Sequence, residues 1–410
     1  MSVLKILEDR GFVQQSSGKK ELDELLSGSN IVFYAGFDPT ADSLHIGSLV
    51  PIMAMSHLQR AGHTPIALIG GGTTLIGDPS GKTKERQLIS AEEIDANGVF
   101  ILDQLKRYLS LDKDKGIFVN NADWLRPLNY IEFLRDIGKY FRVNEMLRSE
   151  SYRQRMEREE GLSFIEFNYQ LLQAYDYLFL FDKHACILQM GGDDQWSNIL
   201  AGRELIRRMR NESVHALTFP LITTARGNKM GKTEQGTIWL DKNKTSVYEF
   251  YQYWINTDDR DVSRFLCLFT FLDMEQIQEL GKLQHAQLRT AKEILAFEAT
   301  KLAHGEKEAK SAQELSHSNF NQGGSQASDK FSIIIDIQRI NDGISAVSLF
   351  HELGLVDSKS EAKRLIQQGG AYINDQKIGS IDVRITEKDV QNGRIMLRKG
   401  KKQYCSIVVS

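Results

Sequence analysis

Two groups of residues have the types and spacing to handle a polyanion. The first follows an apolar run and comprises Gly36, Asp38, Pro39, Thr40, His45, Gly47 and Ser48. The second is Lys229, Met230, Lys232 and Thr233, on the glycine-broken stretch Arg226-Gly227-Asn228-Lys229-Met230-Gly231-Lys232-Thr233. Imidazole, hydroxyl and ammonium groups all donate to phosphate oxygens. Two lysines three apart on a loop make a cationic arm, suited to a triphosphate whose charge shifts during reaction. Between these groups, Tyr169, Gln173 and Asp176 are spaced by four and three residues, which puts them on one face of a helix. Their neighbours Phe164, Ile165, Phe167, Leu171, Leu172, Leu178 and Phe179 make most of that helix apolar, so a largely buried helix is expected. A buried stripe of phenol, amide and carboxylate needs partners, which a polar ligand supplies. Gly192, Asp194 and Gln195 follow another apolar run, where glycine admits a ligand to the backbone and acids can bind ribose hydroxyls.

The elements that must position these residues alternate. Strand-like runs are Ile31–Ala35, Pro65–Ile69, Ile117–Asn120, Ala185–Met190 and Ala216–Ile222, with helical patterns between them. That alternation predicts a parallel sheet covered by helices, and ligands in such folds bind beyond the carboxyl ends of the strands. Each run ends near polar or glycine-rich residues: Gly36–Asp38, Gly70–Asp78, Asn120–Asp123, Gly191–Gln195 and Arg226–Thr233. At the first, the strand, turn and helix start through His45–Ser48 make an anion cradle of free backbone N–H groups and helix dipole. Gly77–Thr83, G-D-P-S-G-K-T, imitates a P-loop, but that motif needs glycine where Ile76 stands. A P-loop NTPase is therefore excluded. Asp78 remains an acid on the turn after the second strand.

At 410 residues, 41% apolar and 26% charged, the composition is that of a globular protein with room for several domains. No apolar stretch reaches the ~20 residues of a membrane span. The N-terminus, M-S-V-L-K-I-L-E-D-R, has no apolar signal core. Cys186, Cys267 and Cys405 are far apart and form no C-x-x-C pair, so no zinc site is expected, and the compartment is expected to be reducing and cytoplasmic. The net charge is −3, yet residues 343–410 hold 11 Lys or Arg against 7 Asp or Glu, a net of +4, leaving −7 for the rest. A basic tail on an acidic body suggests a polyanionic partner.

These patterns divide the chain into four parts. Residues 1–245 carry the alternating pattern, and 246–315 read as helical. Residues 316–342 include the polar stretch S-H-S-N-F-N-Q-G-G-S-Q-A-S-D and read as a flexible linker. Residues 343–410 form a small basic unit. Within it Ser358 is placed to cap a helix bearing Lys359, Lys363 and Arg364, ended by Gly369-Gly370 and followed by a short strand.

The order D-P-T-x-x-S-L-H-I-G resembles the nucleotide-binding signature of class I aminoacyl-tRNA synthetases, with Ser48 where the familiar form has histidine. K-M-G-K-T resembles their second signature, usually K-M-S-K-S, with the lysine spacing kept. With Tyr34, Asp78, Tyr169, Gln173 and Asp176, the whole chain resembles the bacterial-type tyrosyl-tRNA synthetases. That resemblance implies a fold: a Rossmann-like parallel-sheet catalytic domain, then an α-helical domain, then a small α+β RNA-binding domain. It implies that Tyr34 and Asp176 bind a substrate phenol, and that Asp78, Tyr169 and Gln173 surround its ammonium, with Gln195 in the same pocket. It implies ATP on Gly36, Asp38, Thr40, His45, Gly47, Ser48, Gly192, Asp194, Met230 and Lys232, with His45, Ser48, Lys229, Lys232 and Thr233 carrying catalysis. ATP is then a substrate with accompanying Mg2+ and no dedicated metal cage. tRNA(Tyr) and L-tyrosine are the partners, Lys359, Lys363 and Arg364 face RNA, and the enzyme is a homodimer off the membrane. A tryptophanyl-type relative, a small-acid-activating ligase and a non-catalytic RNA-binding descendant are the rival readings.

Overall fold

The computed structural model describes residues 2–80, 89–112, 115–157, 161–227, 230–233, 236–321, 332–335, 339–340, 343–356, 358–374, 376–391, 394–400 and 403–409. Of residues 232–233 and 332–335 the backbone alone is described. The chain forms two compact units, Met1–Gln313 and Glu314–Ser410.

A six-stranded sheet organises the first unit. Its strands are β1 (Gln15–Ser16), β2 (Val32–Phe37), β3 (Thr64–Ile69), β4 (Ile117–Asn120), β5 (Cys186–Gly192) and β6 (His215–Phe219), in the order β1-β6-β5-β2-β3-β4. All five strands expected from the sequence are present, and every pair among them is parallel. β1 is an addition, an antiparallel edge strand pairing Gln15 with Thr218. Two residues carry too little pattern for a sequence reading to find. From β2 the chain moves outward through β3 and β4, then returns to β5 on the other side. The switch point therefore lies between β2 and β5, where Tyr34 pairs in register with Gln189.

The helix Phe164–His184 crosses beside this point. Ser163 caps it by accepting from the Glu166 N–H at 3.3 Å, while the Glu166 carboxylate accepts from the Ser163 N–H at 3.2 Å. Glu166 also takes two 2.9 Å hydrogen bonds from the Nη2 of buried Arg155. Tyr169 and Asp176 are buried, as the spacing predicted. Phe164 and Ile165, read as part of the buried surround, are instead exposed at the helix start.

The expected boundary near 245 does not divide the packing. Trp254, Phe265 and Phe269, from the helices Val247–Ile255 and Val262–Phe269, share one apolar cluster with Met53, Leu188 and Phe219. The buried Arg10 guanidinium ties the N-terminal segment to this region by donating to the carbonyls of Cys267 and Thr270, each at 2.9 Å, and of Leu272. These donations satisfy carbonyls freed at a helix end.

In the second unit, strands Ala371–Ile373, Gln376–Lys377, Arg394–Lys399, Gln403–Val409 and Ser332–Ile335 form one sheet. Leu349, Phe350, Ile395, Leu397, Cys405 and Ile407 are fully buried in its core. The expected linker 316–342 is shorter at both ends. Residues 316–321 complete the helix Glu306–Asn321, because propagating a formed helix costs far less than nucleating one. Ser332–Ile335 pairs in parallel with Ser406–Val409, which gives an apolar run a sheet edge to join. Residues 322–331 lie outside the described residues.

Candidate active site

The site is built around Asp176, 2% exposed in the middle of its helix. Asn121 Nδ2 donates to its Oδ2 at 2.8 Å, and Trp124 Nε1 donates to its Oδ1 at 2.7 Å. Burial pushes its pKa up to about 7, with a further push from the Asp38 charge, while the two donors pull it down. Tyr34 faces the same charge. Its hydroxyl is buried without a hydrogen-bond partner, and burial first, then Asp176, drive its pKa well up. The Gln189 Oε1, next in register on β5, is likewise buried and unpartnered. Unmet polar atoms at a switch point mark a place where a ligand supplies the missing bonds.

A hydrogen-bonded chain leads away from Asp176. Asn121 Nδ2 also donates to Thr73 Oγ1 at 3.0 Å, Thr73 Oγ1 donates to Asp38 Oδ1 at 3.0 Å, and the Tyr169 hydroxyl donates to Asp38 Oδ2 at 3.2 Å. Asp38, expected with the nucleotide set, therefore turns both carboxylate oxygens toward residues around the Tyr169 pocket. Gly70 makes this possible, since a Cβ there would lie 2.0 Å from Asp38 Oδ1. A second network joins Gln195 Nε2 to Asp78 Oδ2 at 2.6 Å. Asn198 Nδ2 donates within it to Gln195 Oε1 and Gln173 Oε1, both at 3.2 Å. The Ser80 N–H donates to Asp78 Oδ1 at 2.9 Å. Asp78, Gln173 and Gln195 thus belong to one hydrogen-bonded cluster, joined through Asn198, while Asp176 and Tyr169 belong to the other, joined through Asn121, Thr73 and Asp38.

Asn121, Thr73 and Ser80 fall in loops that the sequence singles out without marking them individually, but Trp124, Gln189 and Asn198 carry no sequence signal. They matter because of what the fold sets them against.

The two signatures meet. Ile46 N–H donates to the Ile238 carbonyl at 3.1 Å, and Leu240 N–H donates to the Leu44 carbonyl at 2.8 Å, which makes a bridge between His45 and Trp239. Ile238 N–H then donates to the Gly231 carbonyl at 2.9 Å. Gly231 has φ +80° and its Cβ position lies 3.3 Å from the Gly47 nitrogen. Glycine is needed there for both backbone angle and approach. Met230 is buried, Ser48 is partly exposed, and Gly36 and Thr40 are exposed. Lys229 lies outside the described residues, and the positions of the Lys232 and Thr233 side chains are not part of the description. Gly192 closes β5, and Asp193–Gln195 form a single tight turn beyond it. In the second unit, Ser358 accepts from the Glu361 N–H at 3.2 Å, and Lys359, Lys363 and Arg364 are exposed.

A parallel sheet with a switch point, two signature segments in contact and a buried polar cluster with unmet hydrogen bonds fits a class of amino-acid-activating enzyme. The family described as "tRNA synthetases class I (W and Y)" matches residues 26–321, and this chain belongs to it. Residues 329–407 match "Tyrosine--tRNA ligase SYY-like C-terminal domain". The chain is 53% identical to the tyrosine–tRNA ligase of Desulfosudis oleivorans, across 100% of this chain and 99% of that protein. It is 51% identical to the tyrosine–tRNA ligase of Caldanaerobacter subterraneus subsp. tengcongensis, across 100% of both. Among solved structures, a C-terminally truncated Aspergillus nidulans mitochondrial tyrosyl-tRNA synthetase superposes with a TM-score of 0.70 at 32% identity, covering 77% of this chain and 94% of that one.

Proposed function

We propose that this protein activates L-tyrosine with ATP and transfers it to the 3′ end of tRNA(Tyr). The observation that carries the choice of amino acid is the unpartnered Tyr34 hydroxyl beside buried Asp176. A ligand phenol answers both: it donates to Asp176 and accepts from Tyr34. An indole has one donor and no acceptor, so it would leave Tyr34 unmet. The substrate ammonium fits among Asp78, Gln173 and Tyr169, with Gln195 holding Asp78 in place.

ATP is assigned to the cradle of Gly36, Thr40, His45, Gly47 and Ser48, with backbone contribution from Asp38. Asp194 and Gly192 serve the ribose, and Met230 and Lys232 cover the phosphates. The tyrosine carboxylate attacks the α-phosphate, the bond to the bridging oxygen breaks, and pyrophosphate leaves. A ribose hydroxyl at the tRNA terminus then attacks the acyl carbon of the adenylate, and AMP leaves. No covalent enzyme intermediate is required. Catalysis is positioning plus charge stabilisation by His45, Ser48, Lys229, Lys232 and Thr233. Magnesium belongs with the nucleotide's phosphates; among the described residues no group of three or more His, Cys, Asp or Glu is placed to hold a metal ion.

The second unit is assigned to tRNA, with Lys359, Lys363 and Arg364 on phosphate. A homodimer is supported by large apolar side chains left open in the first unit, among them Phe164 at 71%, Ile131 at 70% and Val143 at 58% exposed. The three cysteines are free thiols, in keeping with a reducing cytoplasm. No helix among the described residues is long and apolar enough to cross a membrane. Charging of purified tRNA(Tyr) with labelled tyrosine tests the assignment. Tyrosine-specific, ATP-dependent acid-precipitable product is expected, and its absence with an intact tRNA would refute it.

A further inference from the structure

The turn that presents Asp194 and Gln195 is clamped from an unexpected direction. Asp193, its first residue, accepts on Oδ1 from Gln15 Nε2 at 2.7 Å and from Thr218 Oγ1 at 2.9 Å. Thr218 Oγ1 in turn accepts from the Gln15 N–H at 3.2 Å. Gln15 sits on edge strand β1, opposite Thr218 in register. The Gln14 N–H donates to the Thr218 carbonyl at 2.8 Å, and the Ser17 N–H to the Ala216 carbonyl at 3.0 Å, so the strand is held by its backbone independently of the Gln15 side chain. Its N-terminal neighbour Arg10 is itself fastened to the helical region. Gln15 precedes residues 26–321, the span of the family match, and belongs to none of the nucleotide or tyrosine residues assigned above.

We propose that Gln15 is a positioning residue for the nucleotide ribose: through Asp193 it fixes the turn that aims Asp194 at the sugar hydroxyls. The physical argument is one of stiffness. Asp193 and Asp194 are adjacent carboxylates on a turn of three residues, and with either of its two donors lost Asp193 is held from one side only, so that carboxylate and turn gain freedom. A donated bond to a charged carboxylate is worth about tenfold in an equilibrium. Gln15 and Thr218 converge on one oxygen, so the turn has a single defined seat. The inference rests on the assignment of Asp194 to the ribose.

The test is a substrate–enzyme cycle on the full-length protein, measuring adenylate formation with ATP, 2′-deoxy-ATP and 3′-deoxy-ATP. Gln15→Met keeps the volume and the backbone bonds but removes one of the two donors to Asp193 Oδ1, leaving Thr218. It should lower kcat/KM for ATP by about tenfold, mostly through KM, and change it by less than about twofold for the deoxynucleotide that lacks the hydroxyl Asp194 holds. Thr218→Val should give the same selective pattern. The deoxynucleotide rates report the folded, active fraction within each preparation. Asp194→Asn is the reference and should show the selectivity in full. If Asp194→Asn is selective but Gln15→Met weakens all three nucleotides equally, or none, the positioning role of Gln15 is wrong. If Asp194→Asn itself treats the three sugars alike, the ribose assignment fails and the proposal falls with it.

Discussion

Trp124 donates its indole N–H to Asp176 Oδ1 across 2.7 Å, and both residues are buried. The indole is fixed in turn by stacking on Phe179, with ring centroids 4.2 Å apart and planes 14° from parallel. A rigid donor therefore holds the carboxylate to which the substrate phenol is assigned. It also lowers the pKa of Asp176, against the larger push of burial.

Tyrosine binding should depend on pH through Asp176. With its pKa raised to about 7, the carboxyl holds a proton in the ligand-free protein below that pH and competes with the phenol. Affinity should rise between about pH 5.5 and pH 8, and Trp124→Phe, which deletes the donor, should move the midpoint upward. Titration calorimetry across this range checks both, and a flat profile would contradict the assignment. The linked stability effect has the opposite sign. The folded protein keeps a proton that the unfolded chain loses, so this group makes the ligand-free protein less stable as pH rises from the ordinary carboxylate range through about 7.

Tyr34→Phe separates function from stability. It removes a buried hydroxyl that has no partner in the ligand-free protein, so the melting temperature should hold or rise. Tyrosine should bind more weakly by ~0.5–1.5 kcal/mol, and the preference over phenylalanine should narrow. An unchanged tyrosine-to-phenylalanine ratio in exchange kinetics would make Tyr34 purely structural.

Lys232→Ala should lower the rate of adenylate formation by on the order of a hundredfold and leave tyrosine affinity nearly unaltered. The backbone at Gly231, next to Lys232, is seated against Gly47, in the segment assigned to the ATP phosphates. Pre-steady-state rates equal to the parent protein would remove Lys232 from the catalytic set.

Cutting the chain near Gly323 should leave adenylate formation intact and depress tRNA charging. The residues assigned to the first half-reaction all lie in the compact unit that ends at Gln313. The lost unit includes the net +4 of residues 343–410, so tRNA affinity and its steepness with salt should fall together. Loss of adenylate formation, or unaltered charging, would overturn the division of labour.

The sheet was legible because five apolar runs ended in polar turns, and burial on both faces of a parallel strand demands such runs. The stripe Tyr169, Gln173 and Asp176 was legible for the same kind of reason, through helical spacing. The support around it was not. Trp124 and Asn198 belong to residue types that serve many structural ends, and only their approach to Asp176 and Gln173 gives them meaning. Gln15 lies on a two-residue strand with no periodicity, so its partnership with Asp193 exists only in three dimensions. That the helices after residue 245 share an apolar cluster with the sheet was not legible, because helical text says nothing of what a helix packs against.

The measurement that bears most directly on the whole account is ATP–pyrophosphate exchange run with each amino acid in turn. Tyrosine should support exchange well above every other amino acid, with phenylalanine and tryptophan near background, because only a phenol satisfies Tyr34 and Asp176 together. Exchange driven by tryptophan and not by tyrosine, or by no amino acid at all, would contradict it.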